Sequence, residues 1–457
     1  MSMILKIANG AGFLGDNVDA PRHLVEATEV DYLTLEYLAE LTLSILARVR
    51  EKDPSAGYAE DFLGVLDSLL PALKAQPRLK LVTNAGGMNP TSCAHAAARI
   101  LTKAGLADTP IGVVTGDDLL TDLAALQAAG CALTNLDTGQ PLATLNEPVV
   151  SANAYLGARE IAGSLDSGAR IVITGRVADA SLTVGPAVHA FGWNWDDWRR
   201  LAGASVAGHM IECGAQATGG FYPHWREIDL AHVGYPIAEL DDAGDLVIAK
   251  PAGSGGIVNR ETVAEQLVYE IGDPAHYLTP DVDLDFTTVE IEELGHDRVA
   301  LRGATGRPAP ASYKVSLAYR AGYMATGQML VYGRDAVAKA RACAEFVLAR
   351  LRMAGHEFGR SYVECLGAGE GVPGLASPPA ELREVVLRLS VHDPRRESVE
   401  RFAKEFAPLA TSGPAGLAGY ASGRPQPRPV FAYWPTLVPK QLVKPQFQVR
   451  TAADWIQ

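Results

Sequence analysis

The stretch Ile4-Leu5-Lys6-Ile7-Ala8-Asn9-Gly10-Ala11-Gly12-Phe13-Leu14-Gly15-Asp16 joins a short apolar run to a G-x-G-x-x-G turn. The apolar run is typical of a β-strand. Glycines in the turn allow the backbone to bend tightly, to expose its N–H groups and to bring a following helix close to the sheet. An anionic ligand at a helix N-terminus needs this geometry. The stretch therefore predicts a first strand that ends in a ligand loop, with candidate contacts at Gly10, Gly12, Gly15 and Asp16.

The pattern of an apolar run, a polar glycine-containing turn and a helix recurs through the first half of the chain. Further strands are predicted at Tyr32 to Leu35, Leu79 to Thr83, Ile111 to Thr115 and Arg170 to Thr174, and a helix at Asn153 to Ala162. Strands that are apolar throughout suit a parallel sheet covered on both faces. The predicted fold class is therefore α/β, an N-terminal doubly wound, mostly parallel sheet with helices on both faces, followed by an α+β region.

Polar side chains follow the carboxyl ends of these strands. In a parallel sheet the ligand site lies outside those ends, so we expect the side chains to share one crevice. Asn89 precedes Pro90 in the arrangement that begins many helices. The candidate contacts for an anionic substrate at these ends are Asn84, Asn89, Asp117 and Arg176, and the candidate groups for proton transfer are Glu36 and Asp179.

Two later segments also have the composition of ligand sites. The run from Glu212 to Gly220 is small and polar, and it supplies Cys213 as a candidate catalytic residue and Gln216 and Thr218 as candidate contacts. The run from Lys250 to Gly256 is a second glycine-rich turn before a helix. It predicts a second anion-binding loop, with candidate contacts at Gly255 and Gly256.

The pattern changes after Asp281. Short runs that are typical of antiparallel strands begin near Thr287, and a long helix is predicted from Ala336 to Met353. We therefore predict two domains, an α/β ligand-binding domain with glycine-rich strand-end loops over 1–281, and an α+β domain with a tail rich in glycine and proline over 282–457.

The composition limits the class of partner and compartment. The formal net charge is −13, which argues against nucleic acid or an anionic membrane surface as the main partner. The five cysteines have no C-x-x-C spacing and are odd in number, so reduced thiols are expected. The cysteine and histidine spacings predict no metal site. With neither a leader pattern nor a long apolar stretch, the sequence predicts a soluble, cytoplasmic protein.

For several candidate residues the sequence allows more than one role. Glu36 fits a ribose-binding acid of a dinucleotide site, a general base, or a buried carboxylate held by backbone donors. Arg176 fits a bidentate contact to a carboxylate or phosphate, or a simple pair with Asp179. Cys213 fits a nucleophile or a small buried side chain without a basic partner nearby in sequence. The sequence leaves these alternatives open.

The combined motifs resemble the acyclic terpene utilisation (AtuA) family. The resemblance rests on N-G-A-G-F-L-G-D at 9–16, D-Y-L-T-L-E-Y-L-A-E at 31–40, T-N-A-G-G-M-N-P at 83–90, G-D-D at 116–118, G-R-V-A-D at 175–179 and C-G-A-Q-A-T-G-G at 213–220. Later blocks around Lys250, Tyr277 and Tyr433 also fit, so the match covers almost the whole chain. Some longer members resemble this chain plus a small C-terminal domain of ferredoxin-like type.

The resemblance implies a role beside the enzymes of citronellol and geraniol breakdown, a route through acyl-CoA intermediates. We therefore expect an enzyme that acts on a carboxylate or acyl-CoA, a lyase or hydratase in acyclic terpenoid or branched acyl catabolism. A non-catalytic binding or scaffold subunit and a nicotinamide-dependent oxidoreductase are the alternatives. No cofactor is expected, although CoA is a possible part of the substrate. The expected partners are a small anionic substrate, further copies of the chain and a separate small ferredoxin-like subunit.

Overall fold

The computed structural model describes residues 3–372, 374 and 381–457. By its internal contacts the chain divides into two compact units. The first contains the chain up to Ala318 together with Tyr433–Gln457, and the second is Tyr319–Ala432. The predicted domain boundary at residue 281 stays a prediction. Within the described residues, no helix is long and apolar enough to cross a bilayer.

The strands alternate with helices in the first 180 residues and dominate the chain after that. In chain order they are β1 Ile4–Asn9, β2 Tyr32–Leu35, β3 Lys80–Thr83, β4 Pro110–Thr115, β5 Val149–Ala154, β6 Ile171–Thr174, β7 Ile237–Asp241, β8 Leu246–Ala249, β9 Tyr277–Leu278, β10 Asp283–Asp285, β11 Glu290–Gly295, β12 Arg298–Arg302, β13 Thr305–Arg307, β14 Ser312–Tyr332, β15 Arg360–Leu366, β16 Glu384–Asp393, β17 Leu417–Tyr420, β18 Arg428–Pro439 and β19 Gln446–Thr451.

The helices are mostly two to five turns long. In chain order they are α1 Ala20–Ala27, α2 Glu40–Lys52, α3 Asp61–Ala75, α4 Pro90–Lys103, α5 Leu123–Ala128, α6 Arg159–Asp166, α7 Ser181–Phe191, α8 Trp198–Glu212, α9 Arg260–Val268, α10 Ala336–Met353, α11 Arg396–Glu405, α12 Leu409–Ser412 and α13 Ala452–Ile456.

The first unit is built on a ten-stranded mixed sheet in the order β11-β12-β8-β7-β1-β2-β3-β6-β4-β19. Its centre, β1-β2-β3-β6-β4, is parallel. β7 joins β1 and β19 joins β4 in antiparallel pairs. The α/β class is therefore confirmed, and the sheet is a parallel centre extended by antiparallel strands on both sides.

Helices bury the apolar strand residues. Leu33 and Leu35 of β2 and Ile173 of β6 lie in one core cluster with Phe62 of α3 and Ala97 of α4. Alternate residues of a strand point to the opposite face, where α7 and α8 lie against β1. The continuous apolar runs of the sequence follow from this burial on both faces.

The second unit has its own core. β16 pairs antiparallel with β15 and with β14 from Tyr323 to Tyr332, and α10 and α11 pack on this sheet. Val331, Leu389, Val347 and Phe402 are among the buried residues of the cluster that joins them. The predicted helix from Ala336 to Met353 is confirmed.

One local prediction is wrong. The sequence predicts a helix from Asn153 to Ala162, but Asn153 and Ala154 end β5 and the helix begins only at Arg159. The antiparallel strands β11 and β12 extend the ten-stranded sheet of the first unit through β8. Pairing with a strand about fifty residues earlier, at Leu246, leaves no mark in the local periodicity.

Candidate functional site

A small cleft lies at the carboxyl ends of β1 and β2, beneath the last turn of α8 and the first turn of α7. The empty volume of about 170 Å³ between its walls includes solvent at the mouth, and the enclosed part has room for about one water molecule. Small-molecule pockets usually have about 300–1,000 Å³. The polar residues that line the cleft are Asn9, Thr34, Glu36, Asp179, Thr183 and Glu212.

Glu36 follows β2 directly, and its two carboxyl oxygens have different surroundings. Oε1 accepts the Leu38 backbone N–H at 2.9 Å and also an N–H of the Asn84 side chain. Oε2 is buried without a hydrogen-bond partner. Burial, followed by the charge of Asp179, raises the pKa of Glu36 well above its usual range, against the lowering effect of Arg176. The folded protein therefore favours the protonated form of Glu36.

Arg176 is buried to 1% exposure two residues after β6. Its Nη2 lies 2.9 Å from Asp179 Oδ1, Nη1 donates to the Leu38 carbonyl, and Nε has no partner. The guanidinium also stacks 4.1 Å from the centre of the Tyr155 ring. Arg176 and Asp179 thus form the pair that the sequence offered as one of two alternatives, and the Nε–H of Arg176 is buried without a partner.

Asp179 is the more accessible carboxylate, with 38% of its side chain exposed. Burial raises the pKa of Asp179 to about 7, although the Arg176 charge lowers it and Glu212 raises it further. Water at the exposed part weakens this shift without reversing it. Because Asp179 contacts the Arg176 cation and Glu36 does not, the charge of Arg176 favours an ionised Asp179 beside a protonated Glu36.

Asp117 supports the same strand end from β4. Its Oδ2 accepts the Arg176 backbone N–H at 2.8 Å and the Asn153 side-chain N–H at 2.9 Å, and burial raises the pKa of Asp117 to about 6. A Cβ atom on Gly175 would lie 2.3 Å from Asp117 Oδ1, so only glycine fits there. Asp117 therefore orients the loop that carries Arg176 and has a structural contact rather than a free carboxylate.

Three residues near Arg176 were missed by the sequence reasoning as site residues. The Tyr155 hydroxyl donates to Glu40 Oε1 at 2.9 Å, and Lys314 Nζ lies 3.6 Å from the same oxygen and 5.0 Å from the Tyr155 ring centre. Glu40 stands in the quoted motif at 31–40, which was a usable signal. Tyr155 and Lys314 had none, because Tyr155 lies inside the helix that was wrongly predicted, and Lys314 is 159 residues away from Tyr155 in sequence.

The comparison with known families decides the identity of the chain. The family described as acyclic terpene utilisation family protein AtuA matches residues 5–449. The chain belongs to the acyclic terpene utilisation family. Its name connects the family with the breakdown of terpenes. No curated protein and no solved structure matches the chain.

The first glycine-rich loop of this AtuA-family chain is already occupied by its own groups. The Gly12 N–H donates to Asp16 Oδ2 at 2.8 Å, and the Gly10 N–H donates to the Thr34 carbonyl at 3.0 Å. The Tyr235 hydroxyl holds Asp16 Oδ1 at 2.6 Å. A Cβ atom on Gly12 would lie 2.5 Å from the Gly214 nitrogen, so close packing alone requires this glycine.

The second glycine-rich turn is closed in the same way. The Gly255 N–H donates to the His232 carbonyl at 2.7 Å and the Gly256 N–H donates to the Asp229 carbonyl at 2.9 Å. A Cβ atom on either glycine would collide with backbone oxygens at 2.1–2.2 Å. Their N–H groups therefore join two loops of the chain.

The remaining candidate residues of the sequence analysis are Cys213, Gln216, Thr218 and Asn89. Burial, with Glu212 as the next cause, raises the pKa of the Cys213 thiol, which disfavours the thiolate that a nucleophile needs. Gln216 and Thr218 lie in the short 3-10 helix Gly214–Thr218, and the Thr218 hydroxyl donates to the Ala215 carbonyl. Asn89 caps α4 by accepting the Ser92 N–H at 3.2 Å, as its sequence context predicted.

The described part of the chain contains no group of three or more His, Cys, Asp or Glu side chains arranged to hold a metal ion. What the cleft does bring together is three carboxyl groups, those of Glu36, Asp179 and Glu212, with the Arg176 guanidinium next to Asp179 and with Glu36 Oε2 buried without a partner. That combination suits transfer of a proton to and from a bound molecule.

Proposed function

We propose that the protein is a lyase or hydratase that acts on a carboxylate or acyl-CoA substrate in the breakdown of acyclic terpenoids or branched acyl chains. The observation that carries the proposal is the unpartnered, buried Oε2 of Glu36 beside the Arg176–Asp179 pair. Buried polar atoms normally have partners, and exceptions are common at functional sites.

The two carboxyl groups take opposite roles in this proposal. Asp179 accepts a proton from the carbon next to the substrate carbonyl, and the electron pair of the broken C–H bond forms a C=C double bond. At the same time the C–O bond at the neighbouring carbon breaks, and Glu36 donates its proton to the leaving hydroxyl, which departs as water. Hydration is the same sequence in reverse. Arg176 keeps Asp179 ionised before the reaction, and its unpartnered Nε–H is available to a developing negative charge.

The size of the cleft adds a condition. About 170 Å³ is too little for a terpenoid acyl group, so the proposal requires the walls to open when substrate binds.

No cofactor is part of the proposal, and CoA enters only as part of a thioester substrate. We also propose that the chain forms a homo-oligomer, that it works with a separate small ferredoxin-like subunit and that it is cytoplasmic. These proposals follow from the family resemblance and the composition.

The small size of the cleft favours one alternative, a non-catalytic binding or scaffold subunit. A site with room for about one water molecule suits a structural role, in which its buried charges hold the carboxyl ends of β1 and β2 in place. A dinucleotide-dependent reaction has less support. The Gly12 N–H donates to Asp16 rather than to a phosphate, and Glu36 already accepts a hydrogen bond from the Asn84 side chain.

A thermal-shift panel of CoA thioesters, free hydroxy acids and nicotinamide nucleotides tests the proposal. A ligand at 100 times its Kd adds about 2.7 kcal/mol to the free energy of unfolding. We expect a CoA thioester or carboxylate to raise the melting temperature, and Arg176→Ala to abolish that rise. Glu364→Gln, which removes a buried carboxylate bonded to Arg388 in the second unit, is the matched control. A response to nicotinamide nucleotides alone would contradict the proposal.

A further inference from the structure

The last turn of α8 contains a buried pair that the proposed reaction has not used. His209 Nδ1 lies 3.1 Å from Glu212 Oε1, and the two side chains are 2% and 12% exposed. His209 Nε2 lies 2.9 Å from the carbonyl oxygen of Gln266 on α9. The rings of Tyr277 and Phe286 pack against the imidazole at 5.9 and 5.3 Å between centres.

These contacts determine the charge of the pair. A carbonyl oxygen only accepts, so Nε2 carries a proton, and the short contact at Nδ1 holds a second one. Imidazole is a stronger base than a carboxylate, so the second proton belongs to His209, and the pair is an imidazolium with an ionised carboxylate. The position of His209 near the C-terminal end of α8 also favours its positive charge. Burial lowers the pKa of His209, but the contacts with Glu212 and Gln266 outweigh burial, so the pKa is raised overall.

Glu212 lines the same cleft as Asp179 and Glu36. Three carboxyl groups therefore line the cleft, and two buried cations contact them from behind its wall, Arg176 at Asp179 and His209 at Glu212. The charges balance when Asp179 and Glu212 are ionised and Glu36 carries the proton. This assignment agrees with the unpartnered Glu36 Oε2 and with the direct contact between Arg176 and Asp179.

We propose that the His209–Glu212 ion pair tunes the site by holding the Glu212 carboxylate in the same cleft as Asp179, so that Asp179 can act as a base although Arg176 contacts it. The proposal rests on the proposed acid–base function of the cleft. His209 and Glu212 are positioning residues in it, because they act through Asp179. A carboxylate that only faced an arginine would hold its charge too firmly to act as a base.

The other groups that act on Asp179 are part of the same balance. After burial, the charge of Asp179 raises the pKa of Glu36, and the charges of Glu40 and Glu270 raise the pKa of Asp179 less than the charge of Glu212 does. Arg176 is the opposing charge, and burial followed by the charges of Glu212 and Asp179 raises the pKa of Tyr277. Removing Glu212 should therefore have a larger effect on Asp179 than removing Glu40 or Glu270.

The first experiment measures the charge of His209 in the wild-type protein without a substrate. Nitrogen-15 NMR of a histidine-labelled sample at pH 7.5 is expected to show one imidazole with both nitrogens protonated, whose signals are lost in His209→Gln. If all ten histidines are neutral at this pH, the ion pair does not exist and the proposal is overturned.

The second experiment follows protonated carboxyl groups by infrared difference spectroscopy between pH 4 and 9. The step that disappears in Asp179→Asn belongs to Asp179. We expect Glu212→Gln to move this step to lower pH by about one unit or more. Glu212→Asp keeps the charge and should restore it, and Glu364→Gln should leave it in place. An unchanged step in Glu212→Gln overturns the proposal.

Neither measurement needs turnover, so the two proposals fail separately. A shifted Asp179 step without any ligand response would remove the proposed reaction and keep the tuning by Glu212. Ligand binding and turnover with an unchanged step would keep the reaction and remove the tuning.

Discussion

At the scale of single residues, the protonation of Glu36 decides what the cleft can do. Oε1 of Glu36 accepts two hydrogen bonds, Oε2 has no hydrogen-bond partner, and burial raises the pKa of the carboxyl group. A carboxyl group whose pKa is raised by folding adds stability below its unfolded pKa, and that contribution is lost as the pH rises through the folded pKa. For Glu36 the loss therefore begins above about pH 4.3 and extends upward.

The substitution Glu36→Gln tests this pH-dependent contribution to stability. Glutamine keeps the shape and cannot ionise, so the free energy of unfolding of the variant relative to the wild type should rise between pH 5 and 8. Urea unfolding at several pH values measures it. Glu364→Gln, which leaves Arg388 without its carboxylate, should be less stable than the wild type throughout the range. A constant difference for Glu36→Gln would show that Glu36 is ionised in the folded protein.

The site was partly predictable at this scale. Ligand groups usually lie at the carboxyl ends of parallel strands, and this rule selected Glu36, Arg176 and Asp179 from the sequence as candidate site residues. It could not show that Asp16 fills the first glycine-rich loop, because that bond depends on the turn geometry. Tyr155 remained hidden, since its partners Glu40 and Lys314 lie far from it in sequence.

At the scale of elements, close contacts between α8 and its neighbours shape the cleft. Gly208 of α8 lies against the backbone of Ala180, the residue after Asp179, and a Cβ atom there would be 2.6 Å from Ala180 Cα. Glycine is otherwise a poor helix residue. The need for close approach therefore outweighs helix propensity at this position, and it holds Asp179 at the cleft.

Two glycine substitutions separate these effects. Gly64→Ala on α3 meets no atom within 4 Å and should raise the free energy of unfolding by about 0.5–1 kcal/mol. Gly208→Ala should lower it by about 1–3 kcal/mol, because the backbone of Ala180 must move. Chemical denaturation measures both. A neutral Gly208→Ala would mean that α8 is not tightly packed on this loop.

The sequence predicted elements well where one periodic run decides them. β2 and α10 have the predicted bounds, and the Asn89–Pro90 start of α4 was read from capping chemistry. The last two residues of β5, Asn153 and Ala154, were predicted to be helical, because small and polar residues of this kind fit either structure. The antiparallel neighbours β7 and β19 were beyond prediction, since their partners lie more than 200 residues away in sequence.

At the scale of the whole molecule, the open edges of the ten-stranded sheet bear on assembly. β11 forms one edge and carries Glu290, Glu292 and Glu293, and such charges disfavour pairing of one edge with another. The proposed homo-oligomer should therefore form through another surface.

Light scattering at micromolar concentration measures the assembly. We expect a mass of at least two chains, unchanged in a variant in which Glu292 is replaced by lysine, because β11 is not the contact. A mass of 48.4 kDa would contradict the proposed homo-oligomer and leave the fold unaffected.

The central claim is that Glu36 and Asp179 move protons on a bound carboxylate or acyl-CoA, and solvent isotope exchange tests it most directly. CoA thioesters of branched and terpenoid acids are incubated with the protein in D₂O, and deuterium in the acyl chain is measured by mass spectrometry. The account predicts incorporation with the wild type and with Glu364→Gln, and a loss of at least about 100-fold with Glu36→Gln or Asp179→Asn. Equal incorporation by Glu36→Gln and the wild type, or none by the wild type across the panel, would contradict it.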